Sequence, residues 1–139
     1  MSVPPEIVEA ARLWLRRANE DFVMAERSHR MEGFVPRGVC MWSYQSGEKA
    51  VKALLVAYDI DPPKQHDLAR LALRLPTSAA NALLAIDVDE LSRWAIEGRN
   101  PADLDEVQEA DATRAIQLAG DVLSVVRSLL NKLTDGRTV

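Results

Sequence analysis

Cysteine is nearly absent from this chain of 139 residues. The single thiol, Cys40, cannot form an intramolecular disulfide or a cysteine-rich zinc site, and its apolar neighbours favour a small buried side chain over a nucleophile. Aromatic residues make up only 5% of the sequence, and no apolar run approaches the roughly 20 residues that span a bilayer. The formal net charge of −4 excludes a protein that holds nucleic acid by bulk positive charge, although it allows a local basic patch.

The sequence also lacks the common catalytic signatures. It contains no glycine-rich phosphate loop, no His-Glu-x-x-His pair, no cysteine pair and no Gly-x-Ser-x-Gly turn. Acidic pairs such as Asp87 and Asp89 stand where helices are expected to begin, so helix capping explains them better than metal binding does. We therefore expect neither a metal nor a cofactor. The first residues form no basic and apolar leader, which favours a cytoplasmic protein.

What the sequence does contain is a strong helical pattern. Alanine and leucine dominate, and apolar residues recur at three- and four-residue steps, which predicts an all-α fold in one domain over residues 1–139 with frayed ends at 1–5 and 134–139. Helices are predicted over about 5–31, 36–58, 66–75 and 78–95, with an interruption at 87–89, and a last helix begins between 103 and 111 and ends near 133. The sequence therefore predicts an antiparallel four-helix bundle with an additional short helix.

The second predicted helix carries the main candidate site. Glu48 and Lys52 lie four residues apart, so they can pair along one helix face. They form either a solvated surface pair or a polar site where this helix meets His66 and Asp67. The His66 ring is expected either to bond to the backbone of its turn or to face a groove beside Glu48 or Lys52.

A second candidate lies in the loop at Arg99-Asn100-Pro101. Arginine is the best planar partner for phosphate, and loops often carry function. The alternative is that Arg99 pairs with Glu97 or Asp103.

A purely structural role is the third interpretation. The tryptophans Trp14, Trp42 and Trp94 would then fill the core and a dimer interface. A homodimer is predicted because the second and last helices carry apolar residues on more than one face. On the second helix these residues are Val51, Leu54, Leu55 and Val56.

The middle of the chain resembles a known family. The residues that carry the resemblance are Tyr44-Gln45-x-x-Glu48-Lys49-Ala50-x-Lys52-Ala53-Leu54-Leu55, then His66-Asp67-Leu68, then Arg99-x-Pro101. Together with the alanine and leucine spacing of the first and last helices, this pattern is similar to that of the HEPN domain (higher eukaryotes and prokaryotes nucleotide-binding). The resemblance extends over nearly the whole chain.

The resemblance implies a helical bundle that is usually a homodimer. It also implies a minimal nucleotidyltransferase as partner, often in a toxin–antitoxin-like pair, and a nucleotide or RNA as ligand. Many members are metal-independent ribonucleases with an Arg-x(4–6)-His motif in a cleft between two protomers. In such a site a histidine moves the 2′-hydroxyl proton and an arginine stabilises the phosphorane charge.

This sequence departs from the ribonuclease pattern. Neither His29 nor His66 follows an arginine at the required distance, and the tyrosine of a related Arg-Tyr-Pro pattern is replaced by Asn100, with Trp94 the aromatic residue near it in sequence. The sequence therefore favours a binding module over an enzyme. The residues expected to contact a nucleotide or phosphate are Glu48, Lys49, Lys52, His66, Asp67, Arg99 and Asn100. The alternative is a ribonuclease toxin with a rearranged site, in which Arg99 stabilises the phosphate and His66, from either protomer, is the base.

Overall fold

The computed structural model of the protein describes residues 3–95 and 106–135, and within these ranges it contains six α-helices and no strand. The helices are α1 (Pro5–Arg30), α2 (Pro36–Ala57), α3 (Leu68–Ala72), α4 (Thr77–Leu84), α5 (Val88–Ser92) and α6 (Glu109–Asp135). The predicted all-α helical bundle is confirmed. The predicted loop at Arg99-Asn100-Pro101 and the tail at 136–139 lie outside the described residues.

Helices α1 and α2 form the most extensive helix–helix contact of the described chain. Ala11, Ala18 and Ala25 recur every seven residues along α1, and all three are fully buried. Because alanine is small, α2 approaches α1 closely enough for the Ser46 hydroxyl to donate a 2.8 Å hydrogen bond to the Ala18 carbonyl oxygen. Gly33 takes a positive φ of 71° in the turn between the two helices, which glycine adopts at little cost.

Helix α2 is the central element of the bundle. It packs against α1 and α6, and it also contacts the short helices α3 and α5. Val51, Leu54 and Leu55 are therefore fully buried within a single chain, and Val56 is partly buried. Neighbouring helices of the same chain thus cover the apolar faces of α2 that contributed to the dimer prediction.

Three short helices occupy the place of the fourth long helix. The predicted segment 78–95 is divided into α4 and α5, and the break falls at the predicted interruption, where the Asp87 carboxylate accepts a hydrogen bond from the Glu90 amide at 3.2 Å. The predicted helix over 66–75 is also shorter, since α3 ends at Ala72 and tight turns lead to Pro76.

Gly47 allows α3 and α5 to lie close to α2. A Cβ atom at this position would stand 2.9 Å from Leu91 Cδ2 on α5 and 3.5 Å from Leu68 Cδ1 on α3. Leu68 follows His66 and Asp67 directly in the chain. The absence of a side chain at Gly47 therefore helps to set the position of the candidate site.

Within 3–95 and 106–135, no helix combines the length and the apolar character needed to cross a membrane.

Candidate functional site

The C-terminal end of α2 turns the chain back toward the middle of the same helix. The Ile60 amide donates to the Leu55 carbonyl and the Asp59 amide donates to the Val56 carbonyl, both at 2.9 Å. Asp59 takes a positive φ of 60°, so these bonds form the Schellman arrangement with aspartate in the position usually held by glycine. Pro62 and Pro63 keep this segment from continuing as a helix, and the chain runs without regular structure, with a bend at Lys64, as far as Asp67.

The backbone around His66 is held by three different side chains. The Gln65 amide oxygen accepts hydrogen bonds from the His66 and Asp67 amides, both at 3.0 Å. The Asp67 carboxylate caps α3 by accepting from the Ala69 and Arg70 amides at 3.0 and 3.3 Å. Ser92 Oγ on α5 accepts from the Leu68 amide at 3.0 Å. The position of His66 is therefore fixed before any ligand binds.

His66 meets α2 at a buried carboxylate. Its Nδ1 atom lies 3.0 Å from Glu48 Oε2, and the Tyr44 hydroxyl lies 2.8 Å from the same carboxylate oxygen. The Tyr44 hydroxyl is also 2.9 Å from the His66 carbonyl oxygen and 3.4 Å from Nδ1. Since the hydroxyl has one proton, it donates either to the Glu48 carboxylate, within α2, or to the His66 carbonyl oxygen, which ties the His66 backbone to α2.

The carboxylate determines which ring nitrogen of His66 carries the proton. Glu48 Oε2 is an acceptor, so Nδ1 is the protonated nitrogen of the neutral ring and Nε2 carries the lone pair. The His66 side chain is 43% exposed, whereas the Glu48 side chain is only 9% exposed. A buried carboxylate that orients a half-exposed histidine prepares the ring to accept a proton, or to hold an anion when both nitrogens are protonated.

Lys52 completes the polar cluster on the other side of Glu48. Its Nζ atom lies 3.7 Å from Glu48 Oε1, and its side chain is 13% exposed. The same ammonium group stands 6.0 Å from the ring centroid of Trp14 on α1, the outer limit of a cation–π contact. Two positive or protonatable groups, from Lys52 and His66, therefore flank one buried carboxylate, whose burial would be costly without such partners.

The structure unites some of the predicted site residues and separates others. Glu48, Lys52 and His66 come together, so the interpretation of Glu48 and Lys52 as a solvated surface pair is wrong. The physical reason is that the segment at His66 folds over this face of α2. The Lys49 side chain points toward α1 instead, where it forms an ion pair with Asp21.

Asp67 is the remaining predicted site residue that the structure describes, and its carboxylate serves α3. The Asp67 carboxylate caps α3 and lies 3.8 Å from Arg70 Nε. Arg99 and Asn100 lie outside the described residues, and so does the region in which a pairing partner of Arg99 was expected. Trp94, the aromatic residue near that loop in sequence, is only 4% exposed and belongs to the core.

Sequence reasoning missed the role of Tyr44 and of Gln65. Tyr44 and Glu48 are four residues apart on α2, so their contact could have been inferred from helical spacing alone. No such local signal identifies Ser92, whose bond to the Leu68 amide joins residues 24 positions apart.

The other reactive groups of the described chain give no second site. Burial is the main cause that raises the pKa of the Cys40 thiol to about 12, and Asp111 adds to the effect, so Cys40 is a buried apolar side chain as predicted. Among residues 3–95 and 106–135, no three His, Cys, Asp or Glu side chains are grouped in a way that could hold a metal ion.

Comparisons with known proteins agree with this fold. The family profile of the HEPN domain matches residues 11–129 of the sequence. The solved structure of an archaeal HEPN homologue superposes with a TM-score of 0.67, covering 86% of this chain and 97% of that one at 23% sequence identity. At that identity the likeness concerns the fold alone. No protein with a curated function matches the sequence.

Proposed function

Because the chain belongs to the HEPN domain family, we propose that it is a binding module for a nucleotide or for the phosphate of RNA. In this proposal it acts as a cytoplasmic homodimer, together with a minimal nucleotidyltransferase in a toxin–antitoxin-like pair. The observation that carries the ligand half of the proposal is the arrangement of His66 and Lys52 around the buried Glu48 carboxylate.

The charges of this cluster suit a phosphate. With His66 neutral, the Lys52 ammonium group and the Glu48 carboxylate balance each other. A phosphate that approaches the exposed edge of His66 favours the doubly protonated ring, because the imidazolium then donates to Glu48 through Nδ1 and to the phosphate through Nε2. The loop at Arg99 and Asn100 is proposed to add a guanidinium group to the same phosphate, as the family pattern suggests.

Isothermal titration with ATP, other nucleotides and short RNA tests the ligand half. We expect binding by the wild-type chain and loss of most of the affinity in His66→Ala and Lys52→Ala. His29→Ala is the matched control, because His29 is the other histidine of the chain and packs against Phe34 at a ring distance of 4.9 Å. The proposal fails if no heat accompanies any of these ligands at protein concentrations above about 100 µM, which leaves only affinities weaker than millimolar.

One observation favours a second candidate function, a metal-independent ribonuclease. The contact between Glu48 Oε2 and His66 Nδ1 leaves the lone pair on Nε2, which is the state that a general base requires. In this alternative His66 accepts the proton of a ribose 2′-hydroxyl and Arg99 stabilises the negative charge on the phosphorane oxygens. The 2′-oxygen bonds to phosphorus as the bond to the 5′-oxygen breaks, the 5′-oxygen takes up a proton from water, and a 2′,3′-cyclic phosphate remains.

A fluorogenic RNA in EDTA distinguishes the two functions. Cleavage that disappears in both Arg99→Ala and His66→Ala but persists in His29→Ala would establish the nuclease. Cleavage that is equal in all four proteins would identify a contaminant. If none of the proteins cleaves the RNA while titration detects binding, the module is a binding protein without nuclease activity.

The homodimer requires a surface that the chain itself does not cover. Exposed apolar side chains lie on α1 and in the turn that follows it, where Met24, Met31 and Val35 are 43%, 64% and 66% exposed. Isolated apolar side chains are common on surfaces, but three of them near one end of a helical hairpin suit a protein contact. Light scattering at tens of micromolar should give a dimer for the wild type and a monomer for Met31→Lys/Val35→Lys. A wild-type monomer would contradict the proposal.

A further inference from the structure

A groove lies between α1 and α2, beside the Trp14 ring that Lys52 approaches. It has a volume of about 330 Å³ and is lined by Ala10, Leu13, Trp14, Arg17 and Lys49. We propose that this groove holds the base of a bound nucleotide, stacked on the Trp14 ring. This inference rests on the proposed function, because it assigns the base of the ligand whose phosphate lies at His66 and Lys52.

Trp14 is the tryptophan best placed to stack on a ligand. Trp94 is 4% exposed, and Trp42 packs against the apolar core. Trp14 is only partly buried and lies outside the core cluster of the described residues. Any nucleic-acid base can stack on an aromatic side chain, because every base has a π-face.

The groove is apolar at its floor and charged at its rim. Leu13 is 44% exposed and lines the groove together with Trp14, so the apolar part of the groove is open to solvent. At the rim stand the Arg17 guanidinium group, paired with Glu20 at 3.0 Å, and the Lys49 ammonium group, paired with Asp21. The Arg17 pair is exposed, so exchanging its carboxylate partner for a phosphate changes the free energy little.

Lys52 joins this groove to the phosphate site. Its ammonium group lies 6.0 Å from the Trp14 ring centroid and 3.7 Å from Glu48 Oε1, and Glu48 in turn contacts His66. We therefore place the flat part of the ligand on Trp14 and its anionic part beside Lys52. The groove volume is at the lower end of ligand pockets, which suits a base with the sugar and phosphate outside it.

The base and the phosphate can be tested separately by NMR. The ligands are adenosine 5′-monophosphate, adenosine and ribose 5-phosphate, and the readout is the indole N–H signal of each tryptophan in the ¹⁵N-labelled chain. We expect adenosine and the monophosphate to shift the Trp14 signal. Trp14→Leu should weaken binding of the monophosphate about fivefold or more and leave ribose 5-phosphate unaffected.

Two variants control for misfolding and for nonspecific effects. Trp14→Phe keeps an aromatic face and should bind the monophosphate nearly as well as the wild type. Trp42→Leu removes a tryptophan outside the groove and should leave the affinity unchanged. Circular dichroism of each variant checks that the bundle is folded.

The outcomes separate this inference from the proposed function. If the monophosphate and ribose 5-phosphate bind equally well and Trp14→Leu has no effect, the base does not use the groove, although the phosphate site stands. If none of the three ligands binds, the proposed function fails and this inference fails with it. If Trp14→Leu instead converts a dimer to a monomer without altering ligand affinity, the groove is a contact between two copies of the chain, and the inference is overturned.

Discussion

Replacing Gly47 by alanine should destabilise the protein, although the same change in most helices is stabilising. Gly47 lies in the middle of α2, where alanine gains about 1 kcal/mol over glycine from helix propensity. The added Cβ atom would stand 2.9 Å from Leu91 Cδ2, which is closer than Cβ atoms come to neighbouring atoms in real proteins. Leu91 is fully buried, so it cannot move aside without disturbing its neighbours, and such overpacking costs about 1–3 kcal/mol.

The matched control is Gly120→Ala in α6. There the new Cβ atom would lie 3.5 Å from Phe22 Cζ, an ordinary contact, so the full gain of about 1 kcal/mol is expected. The free energies of unfolding of the two variants should therefore differ by about 1–3 kcal/mol. For a chain of this length, each kcal/mol corresponds to roughly 3–5 °C in Tm.

Urea unfolding followed by circular dichroism measures both variants under the same conditions. The expected result is a lower midpoint for Gly47→Ala, a higher midpoint for Gly120→Ala and an unchanged m-value for both. If Gly47→Ala is as stabilising as Gly120→Ala, then α5 does not pack on α2 as described. In that case Gly47 would not set the position of the segment at His66 either.

Two further predictions concern buried groups. The Ser43 hydroxyl is buried without a hydrogen-bond partner among the described residues, whereas the Ser46 hydroxyl donates to the Ala18 carbonyl. Ser43→Ala should therefore raise the free energy of unfolding by up to about 1 kcal/mol, and Ser46→Ala should lower it by about 1 kcal/mol. Equal effects of the two substitutions in urea titrations would contradict this assignment. The pKa of the Cys40 thiol is raised to about 12, so Cys40 should react with iodoacetamide at pH 8 only after unfolding. Mass spectrometry measures the reaction. A fast reaction of the folded chain would show that Cys40 is accessible. Because the thiol stays protonated in the fold, its contribution to stability is complete below pH 9 and declines between about pH 9 and 12.

The sequence predicted the long helices well because their signals are local. Helix α1 has an apolar stripe that includes Ala11, Ala18 and Ala25, and α2 is followed by a proline-rich segment. Both signals depend on residues that are close together in the chain, and the family pattern covers the same helices. The division of 78–95 into two short helices was also visible at the interruption. The sequence does not show which other helix, from the same chain or from a second copy, packs against each face of a helix. Val51 and Leu55 therefore suggested a dimer, although α2 is surrounded by its own chain.

The candidate site shows the same limit. The pattern singled out Glu48, Lys52 and His66, but helical spacing alone could not decide whether Glu48 faced water or a neighbour. That depends on the path of the chain after α2, and so does the burial of the Glu48 carboxylate. Lys49 was grouped with Lys52 because both follow Glu48 in sequence, yet it pairs with Asp21 on α1. Lys49 and Lys52 are close in sequence, but their side chains leave α2 in different directions and reach different partners.

The alanines of α1 also bear on how proteins of this kind diverge. Ala11, Ala18 and Ala25 set the separation of two helices, so a larger residue at any of them would force the hairpin apart. The groove residues Leu13 and Arg17 stand between these positions in the sequence and are exposed to solvent. Mutation can therefore alter what the groove accepts while the helical scaffold is preserved. One helix thus carries two sets of constraints, and we expect relatives to keep the alanines and to vary exposed groove residues such as Leu13 and Arg17.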